Sequence, residues 1–203
     1  MSLKDVKVNF LVDIATDLFM ARSVQEVTIH DIAVSAQVGE ATIYRYFGNK
    51  QNLVIQAAMR IQNIVSAYFF KIKEGKNGFE KLAIFYRSYL DIYNEHPNFY
   101  KFLEEFDTFI SVDESDTDRY EEAIDQYKVS FMESYNLGLK DGSIKKQADI
   151  DAFYFSTTHA LLELCKKLAF RKAVLEQDKG EGKEKEIQCL IDIILMSLNN
   201  LRA

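Results

Sequence analysis

Residues 36–50 read AQVGEATIYRYFGNK and predict a helix of only about two turns, at residues 40–46, that ends at Gly48. A helix this short is marginal in water by itself, because helix nucleation is costly. Ile43 and Phe47 lie one turn apart and predict the side that packs on neighbouring helices. The other sides then present tyrosine, threonine and arginine side chains to solvent. The segment therefore predicts a short, supported helix with an aromatic and basic outer surface.

Two predicted helices precede this segment. Apolar residues at helical spacing predict the first over residues 4–21. Its apolar side consists of Phe10, Ile14 and Leu18, with Leu11, Ala15 and Phe19 beside them. Thr28 is a candidate N-cap of the second, with Asp31 in the capping-box position three residues later. The predicted buried edge of this helix consists of Ile32, Ala33 and Ala36. A tight link at residues 37–39 then completes the order of a helix-turn-helix.

A helix-turn-helix binds double-stranded DNA by placing its second helix in the major groove. Tyrosine and threonine hydroxyls bind phosphate oxygens, and arginine binds a phosphate or a guanine edge. Lys50 lies near the start of the next predicted helix, where a phosphate partner explains its charge better than the helix dipole does. The candidate DNA-binding residues are Thr28, His30, Gly39, Glu40, Ala41, Thr42, Tyr44, Arg45, Tyr46 and Lys50.

Residues 8–56 resemble the N-terminal domain of TetR/AcrR-family transcriptional regulators. The family pattern T-x-x-x-I-A-x-x-x-x-V-x-x-x-T-x-Y-x-Y-F-x-x-K-x-x-L is matched in register by Thr28, Ile32, Ala33, Val38, Thr42, Tyr44, Tyr46, Phe47, Lys50 and Leu53. The resemblance implies an all-α chain with a helix-turn-helix DNA-binding domain at 1–49 and a helical effector-binding and dimerisation domain at 50–203. It also implies a dimeric repressor that a small effector releases from its DNA operator.

The sequence departs from the family pattern around the turn. Gln37 stands where the family usually has glycine, Gly39 where it has serine, and Ser23 where a glycine usually ends the first helix. Gln37 must therefore adopt the turn conformation without the freedom of glycine, at a modest cost. Glycine is still an acceptable N-cap, so these departures leave the predicted fold in place.

Four of the candidate DNA contacts have a second interpretation. Glu40 is either an acid stabilised by the dipole of the helix N-terminus or an acceptor for a cytosine amino group. His30 is either a phosphate or base contact or a solvated surface histidine. Tyr44 and Tyr46 are either DNA contacts or ordinary half-buried aromatic residues.

The rest of the chain also predicts helices. One proline and no alternating apolar and polar runs argue against strands. The predicted ranges are 50–73, 79–95, 98–110, 118–140, 149–175 and 183–202.

Aromatic residues crowd the helices between residues 69 and 155, and most of them must belong to the core. Tyrosine nevertheless carries a hydroxyl that needs a partner, and apolar cavities with a few polar groups are typical ligand sites. The family resemblance implies such a cavity among the middle helices. The candidate lining residues, which favour an apolar or aromatic effector, are Phe85, Tyr89, Tyr93, Phe106, Tyr127 and Phe131.

The last two predicted helices are apolar on more than one face. One face packs inside the subunit, and a second needs a partner or deep burial. A homodimer through a four-helix bundle is the preferred interpretation, and full enclosure within the subunit is the alternative. The candidate interface residues are Phe155, Leu162, Ile191, Leu195 and Leu198.

Composition and charge limit the classes of function. The 203 residues are 48% hydrophobic and 28% charged, and no run approaches the length of a membrane span. The first residues lack a secretory signal, so we expect a cytoplasmic protein with no membrane partner. Residues 1–60 carry six basic and six acidic side chains, so the net charge of −6 arises beyond them. Composition alone therefore does not predict nucleic-acid binding.

The sequence contains no GxSxG, HExxH, CxxC or phosphate-binding glycine loop, so we expect no enzyme, no catalytic residue, no metal and no cofactor. His159 and Glu163, one turn apart, either share a metal or form a polar contact. The two cysteines predict reduced core thiols. A rival function is an α-helical small-molecule carrier or adaptor without DNA binding, supported by the neutral N-terminal segment, Glu40 and the missing turn glycine.

Overall fold

The computed structural model describes residues 2–110, 118–169 and 182–200. Over these ranges the chain is all-α, as predicted, and the described residues form no β-strand. Its helices are α1 (Leu3–Ala21), α2 (Ile29–Ser35), α3 (Glu40–Phe47), α4 (Lys50–Phe70), α5 (Gly78–Glu95), α6 (Pro97–Phe109), α7 (Asp118–Asp141), α8 (Ile150–Ala169) and α9 (Lys183–Leu198). A 3-10 turn, Lys71–Glu74, follows α4. The predicted ends of the last two helices, at residues 175 and 202, lie outside the described residues.

The chain divides into two compact units. The first comprises residues 1–64 and 101–123, and the second comprises residues 65–100 and 124–203. The domain boundary between residues 49 and 50 stays a prediction; α4 begins at Lys50, and the first compact unit continues to Ile64. The first turns of α4 supply Leu53, Val54 and Ala57 to the interior, where each is fully buried. This burial explains why the first unit does not end at the helix-turn-helix.

Local hydrogen bonds define the helix starts in the first unit. Ser2 and Asp5 form a capping box at α1, and Thr28 and Asp31 form the predicted one at α2. The hydroxyl of Thr28 accepts from the backbone N–H of Asp31 at 3.1 Å, and the Asp31 carboxylate accepts from the N–H of Thr28 at 2.8 Å. These hydrogen bonds hold the pKa of Asp31 below its ordinary value.

The buried stripe of α1 contains Leu11, Ala15 and Phe19 of the predicted apolar side but not Phe10. Its buried residues are Leu11, Val12, Ala15, Thr16 and Phe19, whereas Phe10 is half exposed. Apolar residues occur on both sides of this helix, so periodicity alone selected the wrong side for Phe10.

In the second unit, α5 packs against α8 and α9, and α8 packs against α9. Gly78 at the start of α5 lies so close to Gly138 of α7 that a methyl group at Gly78 would overlap the backbone of Gly138. Cys165 is buried, as predicted, but Cys189 is exposed on α9. In the described part of the chain, no helix combines the length and apolar character needed to cross a bilayer.

Candidate nucleic-acid interface and aromatic cluster

The turn between α2 and α3 has the conformation that the sequence predicts. Gln37 has a φ of 53°, in the left-handed region that glycine adopts most easily. The N–H of Val38 donates to the carbonyl of Ala33 at 3.0 Å and closes the turn. Gly39 is the N-cap of α3, with a φ of −77° and no side chain to form a cap hydrogen bond. The turn therefore forms without the family's glycine at position 37.

The short helix α3 has an inner and an outer side. Ile43 and Phe47 are buried, as predicted, and they support the helix from behind. Tyr44 is 49% exposed, and Arg45 is exposed as well. The Arg45 guanidinium carbon lies 5.1 Å from the centre of the Tyr46 ring, and Tyr46 is half-buried. The outer side thus presents an aromatic and cationic surface, with the hydroxyl of Tyr44 accessible to solvent.

His30 and Glu40 form a pair across the turn. Nδ1 of His30 lies 2.9 Å from a carboxylate oxygen of Glu40, and both side chains are exposed. The sequence suggested separate roles for these residues, which are ten positions apart. Thr28, another candidate contact, uses its hydroxyl in the cap of α2, where it also donates to Asp31 at 2.7 Å. Gly39 and Ala41 are exposed, and Thr42 is half-buried at the start of α3.

Lys50 binds partners inside the first unit. Its ammonium lies 3.4 Å from the carbonyl oxygen of Gln25 and 5.0 Å from the centre of the Phe109 ring. Burial lowers the pKa of Lys50, while the nearby charge of Asp31 acts in the opposite direction. The ammonium is therefore held against the protein at the base of α3, and the sequence alone did not predict this anchoring.

Four of the six candidate effector residues form one aromatic cluster in the second unit. The rings of Phe85, Tyr89 and Tyr127 lie 5.3, 5.3 and 4.5 Å from the ring of Phe69, measured between centroids. Phe131 lies 5.3 Å from Phe85.

The other two candidates lie elsewhere. Tyr93 donates from its hydroxyl to the carbonyl of Leu168 at 3.1 Å. Phe106 belongs to the first unit, where its ring contacts Phe102 and Tyr120. Helical spacing indicates which face of a helix is apolar, but it does not indicate which other helix that face meets.

Tyr154 is part of the aromatic cluster, although it was not among the predicted lining residues. Its ring lies 5.0 Å from Phe131 and 6.3 Å from Phe85. The signal was present in the sequence, since Tyr154, Leu161 and Cys165 recur at helical spacing, and all three are buried.

The predicted interface residues divide between the surface and the interior of the subunit. Phe155 is exposed and Leu162 is half-buried on α8. Ile191, Leu195 and Leu198 are buried inside the subunit, on the side of α9 that packs against α5 and α8. The exposed apolar residues of α9 are Ile193 and Met196. The interface prediction therefore selected the inner face of α9, because both faces of this helix are apolar.

Within the described residues, no group of three or more His, Cys, Asp or Glu side chains could hold a metal ion. The imidazole of His159 lies 5.8 Å from the ring of Phe155, and Glu163 pairs with Lys166 at 2.9 Å. Glu163 therefore has a polar partner in Lys166, and neither predicted use of the His159 and Glu163 pair is confirmed.

Comparison with known proteins relates this geometry to a family. Residues 11–57 match the sequence profile of bacterial regulatory proteins of the tetR family. A search of curated protein sequences gives no significant match.

Solved structures with a similar fold extend the comparison along the chain. A transcriptional regulator from Saccharomonospora viridis in complex with choline is similar with a TM-score of 0.77 and 20% identity, over 95% of this chain and 97% of that one. The ketosteroid regulator KstR2 of Mycobacterium tuberculosis has a TM-score of 0.66 and 16% identity, over 95% and 94%. The fatty acid degradation regulator FadR from Bacillus halodurans has a TM-score of 0.66 and 17% identity, over 92% and 97%.

At these identities the structural likeness is one of fold, whereas the profile match is one of sequence and covers the helix-turn-helix. Residues 11–57 therefore match the sequence profile of tetR-family regulatory proteins, and the described chain has the fold of the solved regulators named above.

Proposed function

We propose that this chain is a dimeric, sequence-specific DNA-binding repressor that a small effector releases from its operator. The observation that carries the proposal is the orientation of α3. Ile43 and Phe47 face the interior, while Tyr44 and Arg45 face solvent on a helix short enough to enter a major groove. The packing of α3 on its neighbouring helices does not require an exposed tyrosine beside an exposed arginine.

The proposed contacts follow from the chemistry of the outer side of α3. The hydroxyl of Tyr44 donates to a phosphate oxygen, and the Arg45 guanidinium binds a phosphate or the O6 and N7 atoms of a guanine. The N-terminus of α3 at Gly39 has no side-chain cap, so its first backbone N–H groups favour a phosphate there. Two copies of α3 in a dimer then read half-sites about 34 Å apart, one turn of DNA.

The proposed release by an effector depends on α4. This helix starts with Lys50 directly after the helix-turn-helix, and Phe69 in its last turn belongs to the aromatic cluster. A ligand that prefers one arrangement of the cluster can therefore shift the position of α4 and change the spacing of the two α3 helices. The shift requires different affinities of the effector for the two arrangements, because equal binding shifts nothing.

An electrophoretic mobility shift titration with the DNA that flanks the protein's own gene tests DNA binding. We expect a salt-sensitive complex at submicromolar dimer, and a complex with unrelated DNA of equal length only at much higher concentration. The absence of any sequence-dependent complex at micromolar dimer would contradict the proposal.

A small-molecule carrier without DNA binding is the second candidate, and the anchoring of Lys50 favours it, because its ammonium already has partners in Gln25 and Phe109. Replacing Tyr44 and Lys50 with alanine separates the two functions. A regulator loses DNA affinity and keeps its ligand binding, whereas a carrier has no DNA affinity to lose.

A further inference from the structure

Two tyrosines of the aromatic cluster, the half-buried Tyr89 and the buried Tyr154, have no hydrogen-bond partner for their hydroxyls among the residues that the structure describes. Their rings contact Phe85 from two sides, with centroid distances of 6.2 and 6.3 Å. Buried polar groups are nearly always hydrogen-bonded in folded proteins, so each unpaired hydroxyl calls for an explanation.

Other tyrosines of the same unit show the usual arrangement. The hydroxyl of Tyr86 lies 2.8 Å from that of Thr157. Tyr93 donates to the carbonyl of Leu168 at 3.1 Å, and Tyr100 donates to the backbone carbonyl of Tyr89 at 2.8 Å. The hydroxyls of these three tyrosines therefore have hydrogen-bond partners within the fold. The hydroxyls of Tyr89 and Tyr154 have none among the described residues.

Both unpaired phenols are shielded from bulk water. Tyr154 is only 7% exposed, and burial raises its pKa to about 12. Burial raises the pKa of Tyr89 well above the ordinary value, although part of the residue's surface stays accessible. The phenol of Tyr89 is therefore desolvated although the residue as a whole is only half-buried.

The ring contacts of Tyr89 and Tyr154 among the described residues are with phenylalanines, namely Phe69, Phe85, Phe131 and Phe155. The groups that act on the phenol of Tyr89 are Tyr154, Tyr86, Cys165 and Tyr127, all uncharged at neutral pH. The charge of Asp125 acts on Tyr154 and makes that side of the cluster unfavourable for an anion. A buried charge without a partner is strongly unfavourable, so these surroundings favour an uncharged ligand.

We propose that the effector is an uncharged, mainly apolar molecule whose carbonyl, ether or hydroxyl oxygen accepts hydrogen bonds from Tyr89 and Tyr154. The inference rests on the proposed regulation by an effector and adds the chemical class of that ligand. The rings of Phe69, Phe85 and Phe131 bind the apolar part, and the two hydroxyls orient the polar atom. Such a site rejects a hydrocarbon of equal shape, because that ligand leaves both donors unpaired.

Calorimetric titrations of the full chain with four small aromatic probes test the class. Acetophenone carries a carbonyl, α-methylstyrene has the same shape without an acceptor, benzoate is an anion, and phenyltrimethylammonium is a cation. We expect acetophenone to bind at least threefold more tightly than α-methylstyrene, and the two ions to bind at least tenfold more weakly than acetophenone. Equal affinities of the ketone and the hydrocarbon, tightest binding of either ion, or no binding of any probe would overturn the proposal.

The double variant Tyr89→Phe and Tyr154→Phe assigns the preference to these hydroxyls. We expect the ratio of the ketone and hydrocarbon affinities to fall to about one in this variant and to stay unchanged in Tyr44→Phe, which removes an exposed hydroxyl elsewhere. A ratio that persists in the double variant would contradict the assignment.

The melting temperature of the unliganded double variant gives a second readout that needs no ligand. Removal of two unpaired buried hydroxyls should leave the melting temperature unchanged or raise it. A fall of about 4 °C or more would show that the hydroxyls already have partners and would overturn the proposal. None of these measurements uses DNA, so their failure is distinct from a failure of operator binding.

Discussion

The carboxylate of Glu40 lies 2.9 Å from Nδ1 of His30, which joins the first turns of α2 and α3. These residues are ten positions apart, and their contact depends on the left-handed conformation of Gln37 in the turn between them. Sequence reasoning identified both side chains as candidates for the DNA surface but gave no way to pair them. The pair holds an acidic group on the surface that faces DNA in the proposed complex.

Replacing Glu40 with glutamine distinguishes the two interpretations of this residue. We expect DNA affinity at low salt to rise by up to about tenfold with unchanged sequence preference, because the substitution removes a negative charge near phosphates and keeps an acceptor for His30. Quantitative mobility shift titrations measure the affinity. A loss of affinity for the operator alone would show instead that Glu40 reads a base.

The capping carboxylate of Asp31 predicts a pH dependence of stability. Hydrogen bonds from Thr28 lower the pKa of Asp31 below its ordinary value of 3.8. The ionised carboxylate therefore stabilises the folded state above that value, and this contribution is lost as the pH falls through the lowered pKa. We expect the stability difference between the wild type and Asp31→Asn to be largest near pH 6 and to shrink below pH 4.

Denaturant unfolding between pH 3 and pH 6 measures this difference. Asp17→Asn is the matched control, because Asp17 is an exposed carboxylate with no hydrogen bond in the described part of the structure. A difference for Asp31→Asn that stays constant over this pH range would contradict the capping role.

Features of a helix that depend on residues close together in the sequence were predicted correctly. The capping box at Thr28 and the inward side of α3 depend on residues within one or two turns of each other, and the structure confirms both. The inner face of α9 depends on which helices it meets. Ile191 and Ile193 are equally apolar, so their different burial follows from packing against α5 and α8 and not from periodicity.

The close contact of α5 with α7 predicts the cost of one methyl group. A side chain at Gly78 would overlap the backbone of Gly138, which cannot move aside as a flexible side chain can. We expect Gly78→Ala to lower the free energy of unfolding by about 1–3 kcal/mol, measured by denaturant titration.

Gly39→Ala is the matched control for Gly78→Ala. A methyl group at Gly39 meets no atom within 4 Å, and the φ of −77° suits alanine. We expect this variant to lose at most about 1 kcal/mol, through the poorer N-cap. Equal losses in the two variants would show that the contact with Gly138 is not the cause.

The assembled molecule, as we propose it, joins two subunits through the exposed side of α8 and α9. Phe155 is the predicted interface residue that is both apolar and exposed. The ammonium of Lys128 lies 4.6 Å from the centre of the Phe155 ring. We expect Phe155→Glu to weaken dimerisation at least a hundredfold, because it places a charge in a desolvated interface. Sedimentation analysis over a range of concentrations measures the effect.

Phe10→Glu controls for the general effect of an acidic substitution on a surface phenylalanine. Phe10 is 50% exposed and Phe155 is 44% exposed, so the two changes are closely matched. We expect Phe10→Glu to sediment like the wild type. Dissociation of the control variant, or an intact dimer in Phe155→Glu, would contradict the proposed interface.

Arg45 gives the most direct test of the account, because its guanidinium lies on the exposed side of α3 and, within the described ranges of the chain, contacts the ring of Tyr46 alone. Operator affinity is measured by fluorescence anisotropy for Arg45→Ala and for Arg87→Ala, which removes an exposed arginine from α5. We predict a loss of at least tenfold for Arg45→Ala, with an unchanged melting temperature, and no loss for Arg87→Ala. Equal operator affinities of Arg45→Ala and the wild type would contradict the claim that α3 binds DNA.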